Sequence, residues 1–343
     1  MKKYLLPNSG NFYKANLHVH SNVSDGKLTP EQLKEGYKSK GYSVLAYTDH
    51  EVFVPQNHLT DNEFLALNAV EISINDDWPG DFIHKKSYHL NLYAKSDKQK
   101  DCIACTEDAI WLEQSKPYVS EFTKNNTYKK CYNQKSINDL IARANEDGFL
   151  VCYNHPVWSL QNSEDYLGLK GLWGVEVYNT GSARAGYEDT TQPFEDLLRE
   201  NERIIPVCAD DSHVLKSSAY GGWTMIKSSA LTYDNIINAL EKGDCYSSTG
   251  PEIKELYIED GIVNVTTSNA VFIKLVTGIR FTKSIHATQT EYITQANFDI
   301  NSFIKEETKK DIPHRNTSWF RLEVKDARGY RAYTRAYFID EII

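Results

Sequence analysis

The chain has no long apolar run, few cysteines and no excess of positive charge, and each shortage removes a class of protein. No segment approaches the ~18 consecutive apolar residues of a membrane-spanning helix. The opening Met1-Lys2-Lys3-Tyr4-Leu5-Leu6-Pro7 has two lysines but too few apolar residues before Pro7 for the core of a signal peptide. Six cysteines in 343 residues, at 102, 105, 131, 152, 208 and 245, are too sparse for a disulfide framework and fit reduced thiols. These features predict a cytoplasmic protein without membrane contact. A net charge of −9 argues against a grip on a nucleic-acid polymer, which needs clustered Lys and Arg against phosphates. It leaves a small anionic substrate open, because bound divalent cations reverse the sign inside a metal site. There is no Gly-x-Ser-x-Gly elbow, no Walker-type glycine loop, no internal repeat and no low-complexity tract, so no covalent serine nucleophile or phosphate-cradling loop is evident.

The composition, 41% hydrophobic and 25% charged, is that of a folded globular chain, long enough for one large α/β domain and a small second one. From about residue 12 to 250, short β-rich runs alternate with helical patterns, as in βα units around a parallel sheet or barrel. The runs are Ala15–His20, Tyr42–Thr48, Phe64–Ile72, Phe149–Asn154, Gly174–Asn179 and Arg203–Ala209. Helices are predicted from Thr29-Pro30-Glu31 to Gly41, from Ser136 to Gly148, over Pro193–Asn201, and over Thr232–Lys242 with Gly243 closing it. The polar stretch 94–134 is too long for a plain βα loop and reads as an insertion, a candidate lid. After Pro251 the pattern alternates without strong helices, as in Phe272–Val276, Phe320–Val324 and Arg331–Phe338. A small sandwich-like β domain is expected over 251–343, following a barrel domain over 1–250.

Six of the ten histidines lie beside carboxylates at the ends of predicted strands. His18-Val19-His20 closes the first run, and period-2 geometry puts both imidazoles on one side. Thr48-Asp49-His50 closes the second run and Glu71 the third. Asn154-His155-Pro156 and Asp211-Ser212-His213 close two later ones. In a parallel barrel the strand C-termini open onto one rim, so these residues converge. His89 opens its run instead, and it reaches the same rim if that run returns antiparallel from Glu71 through the turn-like 75–80 stretch. With Asp25, the set His18, His20, Asp25, His50, Glu71, His89, His155, Asp211 and His213 holds imidazoles and carboxylates without thiolate. That set suits zinc, manganese or iron, and it exceeds what one tetrahedral ion needs, so two or three divalent ions are expected. His58, His84, His286 and His314 have no ligand-like setting. Cys102-x-x-Cys105 has no second pair at metal-site spacing.

In this order, His18-x-His20 with Ser24-Asp25-Gly26, Thr48-Asp49-His50, Val70-Glu71-Ile72, Asn154-His155-Pro156 and Asp211-Ser212-His213 resemble the PHP family, named for polymerase and histidinol phosphatase. The resemblance implies a distorted (β/α)7, TIM-like barrel over roughly residues 12–250. Glu176-Val177-Tyr178-Asn179 and Tyr246–Pro251 are similar to the branch with a C-terminal β domain, the CehA/McbA-like metallohydrolases. It further implies His18, His20, Glu71 and Asp211 around one ion, a bridging Glu71 sharing a second with His89 and His155, and Asp25, His50 and His213 around a third. The function implied is hydrolysis of a small phosphorylated substrate by metal-activated water. An amide, carbamate or ester hydrolase on the same centre is the alternative, and a non-catalytic metal-binding scaffold is another. Asp49 is expected to orient a ligand, and Arg184 to grip a substrate phosphate by a bidentate contact.

Overall fold

The computed structural model describes residues 2–187, 190–200, 202–288, 291–309 and 316–342. His314 and Asn201 lie outside them. The first strands are β1 (Lys2–Tyr4), β2 (Asn11–Asn16), β3 (Val44–Tyr47), β4 (Leu65–Asn75), β5 (Ser87–Ala94), β6 (Phe149–Tyr153), β7 (Gly174–Asn179), β8 (Ile205–Ala209), β9 (Trp223–Ser228) and β10 (Cys245–Ser248). Strands β3, β6 and β8 are buried along their whole length. Near-continuous apolar sequence such as Phe149-Leu150-Val151-Cys152-Tyr153 is what a strand covered on both faces requires.

The strands β2 to β8 lie side by side in chain order. Neighbours pair in parallel except around β5, which runs against both β4 and β6. That reversal is the condition His89 needed, and it sets Ser73 opposite His89 and Glu71 opposite Asn91. Beyond the strand ends, a parallel bridge joins Val19 to Ser212, so the last strand of the series returns beside the first. Strands β9 and β10 lie behind the same opening, where Ser247 Oγ donates to the Pro206 carbonyl at 2.6 Å.

Helices cover this sheet where their apolar stripes match it. In Gln134–Glu146 the buried residues Ile137, Leu140, Ile141 and Ala144 fall at helical spacing. The helix starts two residues before the expected Ser136, because the Asn133 side chain accepts from the Ser136 N–H and takes the cap. Helix Pro30–Lys38 has the predicted Thr29 cap, completed by Gln32 into a capping box. The two later helices are Gln192–Arg199 and Tyr233–Lys242, the second closed by Gly243 at φ 68°. Short turns and one short helix, Glu121–Asn125, make up the 94–134 stretch.

The remaining strands are β11 (Ile253–Glu259), β12 (Ile262–Ala270), β13 (Phe272–Thr277), β14 (Lys283–His286), β15 (Ile293–Asp299), β16 (Trp319–Lys325), β17 (Arg331–Thr334) and β18 (Tyr337–Phe338). They form two sheets that share one core, with Leu256, Ile258 and Phe298 from one and Leu275, Leu322 and Val324 from the other. A helix not expected from the sequence, Asn301–Glu307, buries Phe303 in this core. Two connections cross the boundary expected at residue 250. Strand β10 pairs with β17, so one sheet runs on from the first region into the second. Strand β1 pairs with β11, and Leu5 and Leu6 behind it fill the C-terminal core. Leu6 is 1% exposed there. Leu6→Ala is therefore expected to cost about 2–5 kcal/mol of the stability of the C-terminal layer, measured by urea unfolding. An unchanged midpoint would show that the N-terminal strand is not part of that core.

Candidate metal centre

The nine residues expected to act as ligands meet at one end of strands β2 to β8, and Glu71 stands in their middle. Its Oε2 lies 3.3 Å from His18 Nε2, 3.3 Å from His20 Nε2 and 3.2 Å from His50 Nδ1. Its Oε1 lies 3.0 Å from His89 Nδ1 and 3.4 Å from His155 Nε2, and it accepts from Asn154 Nδ2 at 2.9 Å. Asp211 reaches the same ring, with Oδ1 3.1 Å from His20 Nε2 and Oδ2 3.7 Å from His155 Nε2. On the open side, Asp25 Oδ2 lies 3.2 Å from His213 Nε2 and 3.8 Å from His50 Nε2.

Local backbone explains these positions. Val19 points into a neighbouring core, which turns His18 and His20 the other way. The loop after them turns at Gly26, where an added Cβ would stand 2.0 Å from the His20 carbonyl oxygen. That close approach holds Asp25 beside His20. His155 and Asp211 sit just beyond strand ends at φ 23° and 53°, backbone seldom adopted by residues other than glycine and kept here by the surrounding packing.

The donor set fits divalent ions. Four groups of side chains have ligand atoms all within 4.8 Å of one another: His20, Asp25, His50 and His213; His18, His20 and Asp211; His50, Glu71 and His89; and His18, His155 and Glu176. A buried atom of the centre, His89 Nε2, has no hydrogen-bond partner. His18 and His20 turn their Nε2 atoms toward each other at 3.2 Å, an arrangement natural for two nitrogens aimed at ions. In the last of the four groups Glu176 has a different role. It accepts from His18 Nδ1 at 2.7 Å, from the His155 backbone N–H at 3.0 Å and from Asn179 Nδ2 at 3.0 Å. With its oxygens so engaged, it fixes the His18 tautomer and leaves Nε2 free for an ion.

Protonation follows from the same geometry. Burial pulls the His20 imidazole down, but the nearby Asp211 and Glu71 carboxylates outweigh it and push its pKa up to about 10. His18 is likewise raised, against burial, by Asp211, Glu71 and Glu176. His50 is lowered to about 3 by burial and by the neighbouring His20 charge. Burial works to raise Glu71 and Asp211, yet the imidazoles around them hold both carboxyls well below the ordinary range.

Asp49 does not face the centre. Its carboxylate accepts from the Ser21 N–H and hydroxyl at 2.8 and 2.7 Å and from the Ser24 hydroxyl at 2.8 Å, clamping the loop between His20 and Asp25. Arg184 is not brought to the site. Two residues past buried Ser182, about 200° further round a short helix, it turns outward and donates to the Ala219 carbonyl at 3.3 Å. His58, His84 and His286 are exposed and, among the described residues, join no group suited to a metal. Cys102 and Cys105 are buried in the apolar core and, among the described residues, join no group suited to a metal.

The sequence reading gave no role to Glu176, Asn154, Asn179, Glu51, Trp111 or Trp158. A signal for Glu176 existed, since an acidic residue inside the apolar run Gly174–Asn179 must have a partner when buried. Glu51 accepts from the Ser73 N–H at 2.6 Å and pairs with Lys130 Nζ at 2.5 Å. The cavity over the centre, about 750 Å³, is lined by Asp25, His50, Glu71, His89, His155, Asp211 and His213 together with Glu51, Ser73, Asn75, Phe82, Ala109, Trp111 and Trp158.

No family model and no curated protein matches the chain. Solved structures do. A two-domain protein from Bacteroides vulgatus, described as containing a predicted PHP-like metal-dependent phosphoesterase, aligns over 98% of both chains at 14% identity and a TM-score of 0.47. A putative metal-dependent phosphoesterase from Bifidobacterium adolescentis aligns over 61% of this chain and 89% of its own, at 16% identity and a TM-score of 0.39. An amidohydrolase from Chromobacterium violaceum, with bound sulfate and no metal, aligns over 58% of this chain and 87% of its own, at 14% identity and a TM-score of 0.33. Likenesses at this level carry no functional assignment. No helix among the described residues is long and apolar enough to cross a membrane.

Two outcomes follow from the geometry. His20 is raised to about 10, and His18 and His155 are raised with it by the same carboxylates, so protonated imidazoles are present before ions bind. An ion takes a neutral imidazole, so loading is expected to release about two to three protons per chain, and affinity should rise as pH rises toward 10. Isothermal titration calorimetry in buffers of different ionisation enthalpy reads this as a slope, and a flat line would refute it. Glu176→Gln should weaken metal affinity about 10–100-fold by loosening His18 while the circular dichroism spectrum stays unchanged. Unaltered affinity would remove Glu176 from the centre.

Proposed function

We propose that this chain is a metal-dependent hydrolase of the PHP type, cleaving a small-molecule phosphoester at two or three divalent ions of zinc, manganese or iron. The observation that carries the reading is Glu71, one buried carboxylate within 3.4 Å of five imidazoles, with further carboxylates at Asp211 and Asp25 on either side. A carboxylate so placed can serve more than one ion. His18, His20, Glu71 and Asp211 would hold one ion, Glu71 with His89 and His155 a second, and Asp25, His50 and His213 a third. Bound there, the ions would supply Lewis acidity and a water nucleophile active at neutral pH.

The chain's own residues would do the rest. Glu176 keeps the proton on His18 Nδ1 and so directs its Nε2 to the centre. Ser159, 3.1 Å from His155 Nδ1, does the same for His155. Asp49 fixes the turn between His20 and Asp25. The turn is also held from outside, where Gln114 Nε2 donates to the Ser24 carbonyl at 2.6 Å and the Ser115 hydroxyl to the Val23 carbonyl at 2.8 Å. This contact supports reading the 94–134 insertion as a cover over the open side. The return of β8 beside β2 through Val19 and Ser212 supports a distorted seven-stranded barrel, and the two-sheet tail supports the CehA/McbA-like branch.

One observation favours a second reading, hydrolysis of an amide, carbamate or ester. Among the described residues no lysine or arginine lines the cavity, so charge recognition there rests on the ions, and these serve a carbonyl as well as a phosphoryl group. A panel of phosphoesters and aryl carbamates incubated with the manganese-loaded protein separates the two. Release of inorganic phosphate is expected, with Glu71→Gln reducing it by more than about 100-fold, beyond what loss of an outer partner costs. Carbamate turnover without phosphate release would select the second reading, and no turnover of any ester by fully loaded protein would reject both.

A further inference from the structure

Two indoles line the cavity beside the ligand cluster, one next to His89 and His155 and the other next to His50. Trp158 meets the rings of His89 and His155 nearly edge-on, at centroid distances of 5.5 and 5.0 Å, and Phe82 lies 6.1 Å from it. Trp111, on the insertion, lies 5.9 Å from the His50 ring. Trp111 remains 61% exposed and Phe82 50%. Large aromatic surface left in water at the mouth of a cavity is a ready-made contact for a ring that enters it. Trp111 is not a loose tip, since Gln114 and Ser115 tie its segment to the loop carrying Asp25.

The other half of the argument is charge. Among the described residues, the one carboxylate in the cavity outside the nine expected ligands, Glu51, is already paired with Lys130. The described lining offers no guanidinium or ammonium group to a second phosphate or carboxylate on the substrate. Recognition of polyanions depends on such groups, most often as bidentate arginine contacts.

We infer that the substrate presents one anionic head to the ions and carries a flat, uncharged ring system that seats between Trp111 and Trp158. The inference rests on the hydrolase reading above. It excludes nucleoside polyphosphates and sugar bisphosphates as preferred substrates.

Two phosphomonoesters with alcohols of similar acidity test it, 2-(2-naphthyl)ethyl phosphate and ethyl phosphate. With manganese-loaded enzyme the naphthyl ester is expected to have about a 30-fold higher kcat/KM, expressed mainly in KM. The preference should fall about fivefold in Trp111→Ala and again in Trp158→Leu, each checked for unchanged metal content. A wild-type ratio near one would overturn the aromatic subsite while leaving the phosphoesterase reading intact. Turnover of neither ester would overturn the phosphoesterase reading instead. In that event 2-(2-naphthyl)ethanol decides the subsite: saturable quenching of intrinsic tryptophan fluorescence, weakened in Trp111→Ala, supports it, and the absence of saturable quenching overturns it.

Discussion

The buried carboxylate of Glu71 is the constraint on which the rest of the site depends. Taking an ionised carboxylate out of water costs several kcal/mol unless it is surrounded by partners that favour its charge. Here the partners are five imidazoles and an asparagine amide, drawn from segments far apart in sequence. The carboxylate therefore requires the ends of β2, β3 and β6 and the start of β5 to lie at the same level. A slip of one residue in β4 would turn Glu71 to the opposite face and leave the imidazoles with Asp211, Asp25 and, for His18, Glu176. Register and chemistry are fixed by one side chain.

Behind the residues facing the cavity lies a layer of carboxylates that hold backbone. Asp49 collects the donors of the Ser21–Ser24 turn. Asp210 sits one residue before Asp211 and does the same for the other side of the opening. It accepts from the Tyr37 hydroxyl at 2.9 Å, the Thr180 hydroxyl at 2.6 Å and the backbone N–H groups of Tyr220, Gly221 and Gly222. Glu176 completes the set from β7. Groups held this way keep their geometry before anything binds, which is what a site of many ligands needs if binding is not to be spent on ordering them.

Much of this was legible in the sequence, for a physical reason. Imidazoles and carboxylates at strand ends have few uses in a core, so His18-x-His20, Thr48-Asp49-His50 and Asp211-Ser212-His213 mark one rim before any coordinate is known. The placement of His89 depended on the direction of one strand, and the turn-forming sequence after Asn75 suggested it correctly. What sequence patterns did not reveal were contacts made across the fold. Arg184 follows a strand end like the ligands do, but helical rotation carries it outward. Trp111 and Trp158 lie in segments without period, so nothing local places them at the cavity. Strand β1 was invisible because its partner, β11, lies at the other end of the chain.

That last pairing bears on how the molecule is made. Lys2 lies opposite Glu259, so β1, once made, must wait for the long segment up to β11 before it finds its neighbour. At ~5–20 residues per second the delay is on the order of ten to fifty seconds. Throughout it Leu5 and Leu6 have no core to enter, since the residues that bury them come from the last third of the chain. Contacts so distant in sequence fold slowly. The nascent chain thus carries a short sticky segment through synthesis, and the lysines at positions 2 and 3 beside it are the charges that keep such an edge from pairing with strangers.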